Sequence, residues 1–267
     1  MVFSYQGASI DYEIRGDGLP ILFLHGFPGD RRSMLGCLEP VMDKRPGFRR
    51  IYLDLPGLGR SLAPLSFASA DGLLELLLAF LESVAPGPFL LAGYSYGGYL
   101  AQGIASRLPE RLRGLLLICP VVNPEHTRRT LPPQAPCKAD SAFLLTLAPS
   151  EREQFCAYMM VANAETYQRY CDELLPGLSP VDPEFKSQLE LHYGFEQELF
   201  SQILEFPTLF IAGRQDSCVG YHDQLTLLEH YPHGTFALLD TAGHNLQLDQ
   251  PALFEALVLE WLDRIQK

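Results

Sequence analysis

The sequence predicts an α/β fold, a mostly parallel sheet with helices on both faces, and three observations carry that reading. Runs 20–24, 89–92, 115–119 and 207–212 are apolar almost throughout, the mark of strands buried on both faces. Stretches with apolar residues at helical spacing lie between them, as parallel strands joined by crossover helices require. The alternation stops at about residue 123 and resumes after 205, which predicts one helical insertion.

Residues 3–5 and 10–14 read as short strands around Gly7, followed by a turn at Gly16, Asp17 and Gly18. The strand at 20–24 runs into His25, Gly26, Phe27, Pro28 and Gly29. Such a loop lies at the carboxyl end of a central strand, where open α/β sheets bind ligands. A strand at 49–54 leads into the tight loop 55–61, which Asp54 and Arg60 are expected to pin. No helix starts promptly after that loop, so it fits a phosphate cradle poorly.

Ser69 or Asp71 caps a leucine-rich helix ending near Val84, with Leu73, Leu74, Leu77, Leu78 and Leu81 facing the core. The strand at 89–92 and a helix from Tyr99 to Leu108 then flank Gly93, Tyr94, Ser95, Tyr96 and Gly97. In the insertion, Ser150 to Glu153 predicts a capping box. Asn163 opens a helix through Tyr167, Tyr170 and Leu174, and Asp182 another with Pro183 in its first turn. Tyr158, Met159, Met160, Tyr193 and Phe195 enrich this segment in large apolar side chains, most of them lid core and a few free to line a pocket.

Beyond it, the strand at 207–212 ends in Gly213, Arg214, Gln215 and Asp216. A helix spans about 222–230, and a last strand at 235–239 ends in Asp240, Thr241, Ala242, Gly243 and His244. A final helix opens at Asp249, Gln250 and Pro251. Its stripe of Leu253, Phe254, Leu257, Val258, Trp261, Leu262 and Ile265 is expected to pack on the sheet.

Composition narrows the function. A chain of 267 residues, 47% of them hydrophobic, supplies a large core. A formal charge of −12 argues against nucleic acid and anionic membrane partners. The start has neither the basic nor the apolar region of a signal peptide, and no apolar stretch is long enough to span a bilayer. The cysteines Cys37, Cys119, Cys137, Cys156, Cys171 and Cys218 include no Cys-x-x-Cys pair. Free thiols, no structural metal and a cytoplasmic location are therefore expected.

The chemistry centres on Gly-x-Ser-x-Gly at 93–97. A strand that turns at once into a helix brings two backbones together, and a Cβ at Gly93 or Gly97 would collide. The turn projects the Ser95 hydroxyl and leaves the Tyr96 N–H at a helix N-terminus, where an oxyanion can be held. A second donor is available from the Phe27 N–H. A serine hydroxyl needs a base, and the base a carboxylate. Among seven histidines, His244 is best placed, at a strand end in a loop before a helix. Asp216 ends the preceding strand in the same sense; Asp240 is the rival acid, four residues before the histidine.

The segments 25–28, 54–61, 93–98, 213–216 and 242–244 make the sequence resemble the α/β-hydrolase superfamily, in the branch with a helical cap. The resemblance implies an eight-stranded sheet and a core of residues 1–122 and 206–267 with a cap at 123–205. It implies Ser95 as nucleophile, His244 as base, Asp216 as its orienting acid, the N–H groups of Phe27 and Tyr96 as oxyanion hole, and no cofactor. Serine in place of aspartate separates the chain from dehalogenases and epoxide hydrolases, and the His-Gly loop lacks the Gly-Gly-Gly form of many lipases. Tyr99 stands where some menaquinone-pathway relatives carry arginine. Ser217 to Tyr221 replaces a run that commonly contains proline.

The expected partner is a small molecule and the expected state a monomer or homodimer. The reaction expected is hydrolysis of a small-to-medium, partly hydrophobic ester through an acyl-enzyme. Two alternatives stay open: carbon–carbon hydrolysis of a vinylogous diketone, and a ligand sensor that keeps the triad but turns over slowly.

Overall fold

The computed structural model describes residues 1–178, 182–197 and 202–267. Strands β1 (Val2–Tyr5) and β2 (Ala8–Arg15) form an antiparallel hairpin whose turn residues, Gln6 and Gly7, both have positive φ. β3 (Leu19–Leu24), α1 (Arg32–Met42), β4 (Phe48–Leu53), α2 (Ala70–Val84), β5 (Phe89–Tyr94), α3 (Tyr96–Arg107) and β6 (Leu112–Ile118) follow. Ser69 caps α2 by accepting from the Gly72 N–H.

The insertion holds β7 (Lys138–Ala139), α4 (Ser141–Leu144), α5 (Pro149–Tyr158), β8 (Val161–Ala162), α6 (Ala164–Arg169) and α7 (Pro183–Leu191). Then come β9 (Thr208–Gly213), α8 (His222–Thr226), β10 (Gly234–Leu239), α9 (Leu246–Asp249) and α10 (Pro251–Ile265).

Eight strands form one sheet in the order β1-β2-β4-β3-β5-β6-β9-β10. β2 pairs antiparallel with both β1 and β4; from β4 across to β10 every pairing is parallel. The chain leaves β3 for β4 on one side and returns to lay β5 on the other. The loops after β3 and β5 therefore diverge at the carboxyl rim and leave a crevice. The core is the uniformly apolar strands and the helix faces against them, with Trp261 fully buried and its Nε1–H donating to the Pro207 carbonyl at 3.1 Å.

The structure corrects several expectations. Helix α1 has no counterpart in the sequence reading, because Gly36 and Pro40 interrupt its pattern. Gly36 is needed there, since a Cβ would overlap the Glu173 side chain from the insertion. Helix α5 starts two residues before the expected capping box: Ala148 is its N-cap, Pro149 takes the first position, and Glu151 accepts the Ala148 N–H at 3.3 Å. Alanine has no side-chain acceptor, so only half a box forms. In α10, Leu253 is exposed, while Phe254, Val258, Trp261 and Leu262 are buried. Leu253 stands to one side of the face that Phe254, Val258, Trp261 and Leu262 turn to the core.

The insertion adds a two-strand ladder, β7 with β8, to the expected helices. After α6 the chain continues as a π-turn, Tyr170–Leu174, and a 3₁₀ turn, Leu175–Leu178. Leu144, Phe155, Met159, Ala162, Tyr170 and Leu174 form a small cluster of their own, joined by Leu248 of α9. Phe185 and Leu189 of α7 instead belong to the main core. Among the described residues no helix is long and apolar enough to cross a membrane.

Candidate active site

Ser95 stands between β5 and α3 with φ 55° and ψ −118°, a strained conformation for a residue with a Cβ. The surroundings hold it there. Its N–H donates to the Ile118 carbonyl at 2.9 Å, and its own carbonyl accepts from Val121 at 3.1 Å and Tyr99 at 3.2 Å. The tight turn depends on its glycines. A Cβ on Gly97 would overlap the Leu24 and His25 carbonyls, and one on Gly93 would overlap the Gly97 carbonyl.

The turn aims Ser95 along the rim towards the ends of β9 and β10. Ser95 Oγ lies 2.9 Å from His244 Nε2, and His244 Nδ1 lies 2.9 Å from Asp216 Oδ2. With the carboxylate accepting at Nδ1–H, Nε2 is left to accept from the serine hydroxyl. The other oxygen of Asp216 accepts from the N–H groups of Cys218 at 2.9 Å and Val219 at 3.0 Å. The proline-free run after Asp216 thus supplies two donors that hold the carboxylate.

Burial works against a charged Asp216, but His244 and these N–H groups outweigh it and its pKa falls below the ordinary value. Burial likewise disfavours the His244 imidazolium. Asp216, then Cys218 and Tyr94, more than offset it, and the pKa lies well above that of a free histidine.

Phe27 lines a cavity of about 210 Å³ together with Ser95, Tyr94, Tyr158, Leu174 and His244. Among the described residues, neither the Phe27 nor the Tyr96 N–H finds a protein acceptor. Asp240 is exposed and accepts from Gln215 Nε2 at 2.8 Å, away from His244. His25 is a buried peg: Nε2 accepts from the Leu55 N–H at 2.8 Å, so Nδ1 carries the proton it gives to the Gly26 carbonyl at 2.7 Å. Its burial lowers its pKa and keeps it neutral.

Asp54 pins its loop as expected, but with a different partner. It accepts from Arg31 N, Nε and Nη2 and from the Arg60 N–H, while the Arg60 side chain is exposed.

A second cavity of about 280 Å³ shares Tyr158, Cys218, His244 and Asn245 with the first and is walled by Cys137, Cys156, Met159 and Met160. Two further hollows, of about 310 and 740 Å³, are lined by neither Ser95, Asp216 nor His244.

Sequence reasoning missed Asn245, which accepts from Tyr94 OH at 2.8 Å and donates to the Tyr158 carbonyl at 2.8 Å. It also missed Glu173, in the cavity wall and paired through both oxygens with Arg169. Neither carries a local pattern. Cys119, Asp216 and His244 bring potential ligand atoms within 4.8 Å of one another. Burial holds the Cys119 thiol neutral, with a pKa of about 12, whereas a metal ligand must be a thiolate.

The chain as a whole is similar to known proteins. The chain is 25% identical over 266 residues to a pimeloyl-[acyl-carrier protein] methyl ester esterase of Shewanella woodyi, covering 97% of this chain and 100% of that one. It is 27% identical over 265 residues to a 2-succinyl-6-hydroxy-2,4-cyclohexadiene-1-carboxylate synthase of an Enterobacter species, covering 92% of each. The crystal structure of an alpha/beta superfamily hydrolase from Oenococcus oeni PSU-1 superposes with a TM-score of 0.89 at 33% identity, covering 100% of both chains. The pattern of the alpha/beta hydrolase family matches residues 21–257, from the third strand into the last helix, and this chain belongs to that family.

Proposed function

We propose that this protein is a serine hydrolase of small-to-medium, partly hydrophobic carboxylic esters, working through an acyl-enzyme. The observation that carries the reading is the pair of 2.9 Å hydrogen bonds joining Ser95, His244 and Asp216. His244 Nε2 takes the Ser95 proton as Oγ attacks the ester carbonyl, and Asp216 stabilises the imidazolium. The N–H groups of Phe27 and Tyr96 receive the oxyanion, a contribution of about 3–4 kcal/mol for a well-placed donor. The imidazolium then protonates the leaving alcohol, and the neutral imidazole activates water to free the acid. No cofactor enters these steps.

Residues 123–205 act as the cap over a core of 1–122 and 206–267. The small cavity beside Ser95, lined by Phe27, Leu174 and Leu178, favours a short apolar acyl group. The esterase among the relatives supports the reaction class. Against the synthase reaction, Tyr99 is buried with its hydroxyl accepting the Phe195 N–H at 3.0 Å, so no arginine is available there to hold a carboxylate.

The test is turnover of a series of para-nitrophenyl acyl esters, with a vinylogous diketone alongside, by the wild type and Ser95→Ala. Ester turnover lost by about 10³-fold or more in the folded variant, with an acyl group trapped on the Ser95 peptide of the wild type, is the expected outcome. Turnover of the diketone alone, or a single burst without steady state, overturns the esterase reading in favour of carbon–carbon hydrolysis or ligand sensing.

A further inference from the structure

The short stretch from Gly243 to Asp249 is tied to the insertion at three points. Asn245 Nδ2 donates to the Tyr158 carbonyl at 2.8 Å, and Arg169 Nη1 donates to the Gln247 carbonyl at 3.0 Å. The third tie is Asp249. Its Oδ1 accepts from the N–H groups of Met160 at 3.0 Å and Val161 at 2.8 Å, both in the insertion. Its Oδ2 accepts from the Gly243 N–H at 2.9 Å, in the residue that precedes His244. The carboxylate is buried, with 6% of the residue exposed. Packing follows the same line: Leu248 joins the apolar cluster of the insertion, and Met160 lies against Gly243 so closely that a Cβ there would collide with it.

We infer that Asp249 is a positioning residue for His244: one carboxylate couples the seating of the insertion around 160–161 to the alignment of the imidazole. The inference rests on His244 being the catalytic base. A carboxylate accepts at both ends, which this place requires, because N–H groups face it from both sides. An asparagine accepts at one end only and sets its own N–H against another N–H at the other. Substitution therefore frees either the insertion or the histidine loop, and a shift of about 1 Å at a reacting group costs on the order of 100-fold in rate.

The experiment uses the full chain, a para-nitrophenyl ester and a fluorophosphonate that labels activated serine. Asp249→Asn is expected to lower kcat about 10- to 100-fold with KM changed less than about twofold, and to slow phosphonylation of Ser95 in parallel. Val161→Pro removes one N–H from the insertion side and leaves Asp249 intact. It should reproduce the kcat loss, and the double variant should be no slower than the worse single one, as residues acting through one route are non-additive.

A folded Asp249→Asn with wild-type kcat, or with raised KM and unchanged kcat, overturns the positioning role. If Asp249→Asn does not fold, Val161→Pro decides by the same criteria. An active, labelled wild type beside an indifferent Asp249→Asn sinks this inference alone. A wild type neither active nor labelled at Ser95 overturns the esterase reading and this inference with it.

Discussion

His244 Nε2 and Ser95 Oγ lie 2.9 Å apart although 149 residues separate them in the chain. The ends of β5 and β10 bring them together, and Asp216, at the end of β9, sets the orientation of the ring between them.

Asp216→Asn removes the negative acceptor at Nδ1 and favours the tautomer that cannot accept the serine proton. Turnover of a para-nitrophenyl ester should fall roughly 10⁴-fold, the size of that change in a serine protease. Asp240→Asn, whose parent carboxylate is exposed and accepts from Gln215, should stay within about twofold of wild type. Steady-state kinetics of the two variants decide which aspartate is the acid; the opposite ranking would reassign it.

The pH profile should carry the signature of His244. Burial pulls its pKa down, Asp216 and its neighbours push it up further, and the result is well above 6.5. A base works only when neutral, so kcat/KM should rise with pH along a limb centred above that value. Asp216→Asn should move what limb remains to lower pH. A wild-type limb centred below 6.5 would contradict the electrostatics of the pair.

Gly97→Ala places a methyl group against the Leu24 and His25 carbonyls, backbone that cannot move without opening the sheet. A loss of about 3 kcal/mol or more in unfolding free energy is expected, readable by urea denaturation. A variant as stable as wild type would show that the turn has slack.

Asp249 also links stability to pH. Burial outweighs its three N–H donors and lifts its pKa from 3.8 to about 6. The folded chain then binds that proton more tightly than the unfolded chain. The stability it contributes is complete below pH 3.8 and is lost as pH rises through 6, by about 3 kcal/mol. Asp249→Asn should flatten that part of the stability curve, measured as urea midpoints between pH 4 and 7. An unchanged slope would show that the carboxylate is not desolvated as the structure has it.

Much of the fold was legible in the chain. Strands buried on both faces must be apolar throughout, so β3, β5, β6 and β9 announced themselves. The glycines at 93 and 97 betrayed the turn because backbone contact tolerates nothing larger. Ser69, Asn163 and Asp182 marked helix starts, since side-chain oxygens there satisfy N–H groups that a helix leaves open. Local pattern failed where distant packing set the residue. Gly36 in α1 makes room for Glu173, and Leu253 stands to one side of the buried face of its helix.

Sequence alone determined which residue types were available at the strand ends: one serine in a strained turn, one loop histidine, and two candidate acids. Only the tertiary structure shows that Asp216 and not Asp240 reaches the imidazole, because strand order and side-chain direction, not spacing along the chain, determine that contact. It alone exposed the ties of Asn245, Gln247 and Asp249 to the insertion. Those bonds run largely to backbone N–H and carbonyl groups, which every residue offers, and so they leave no trace in the pattern of side chains.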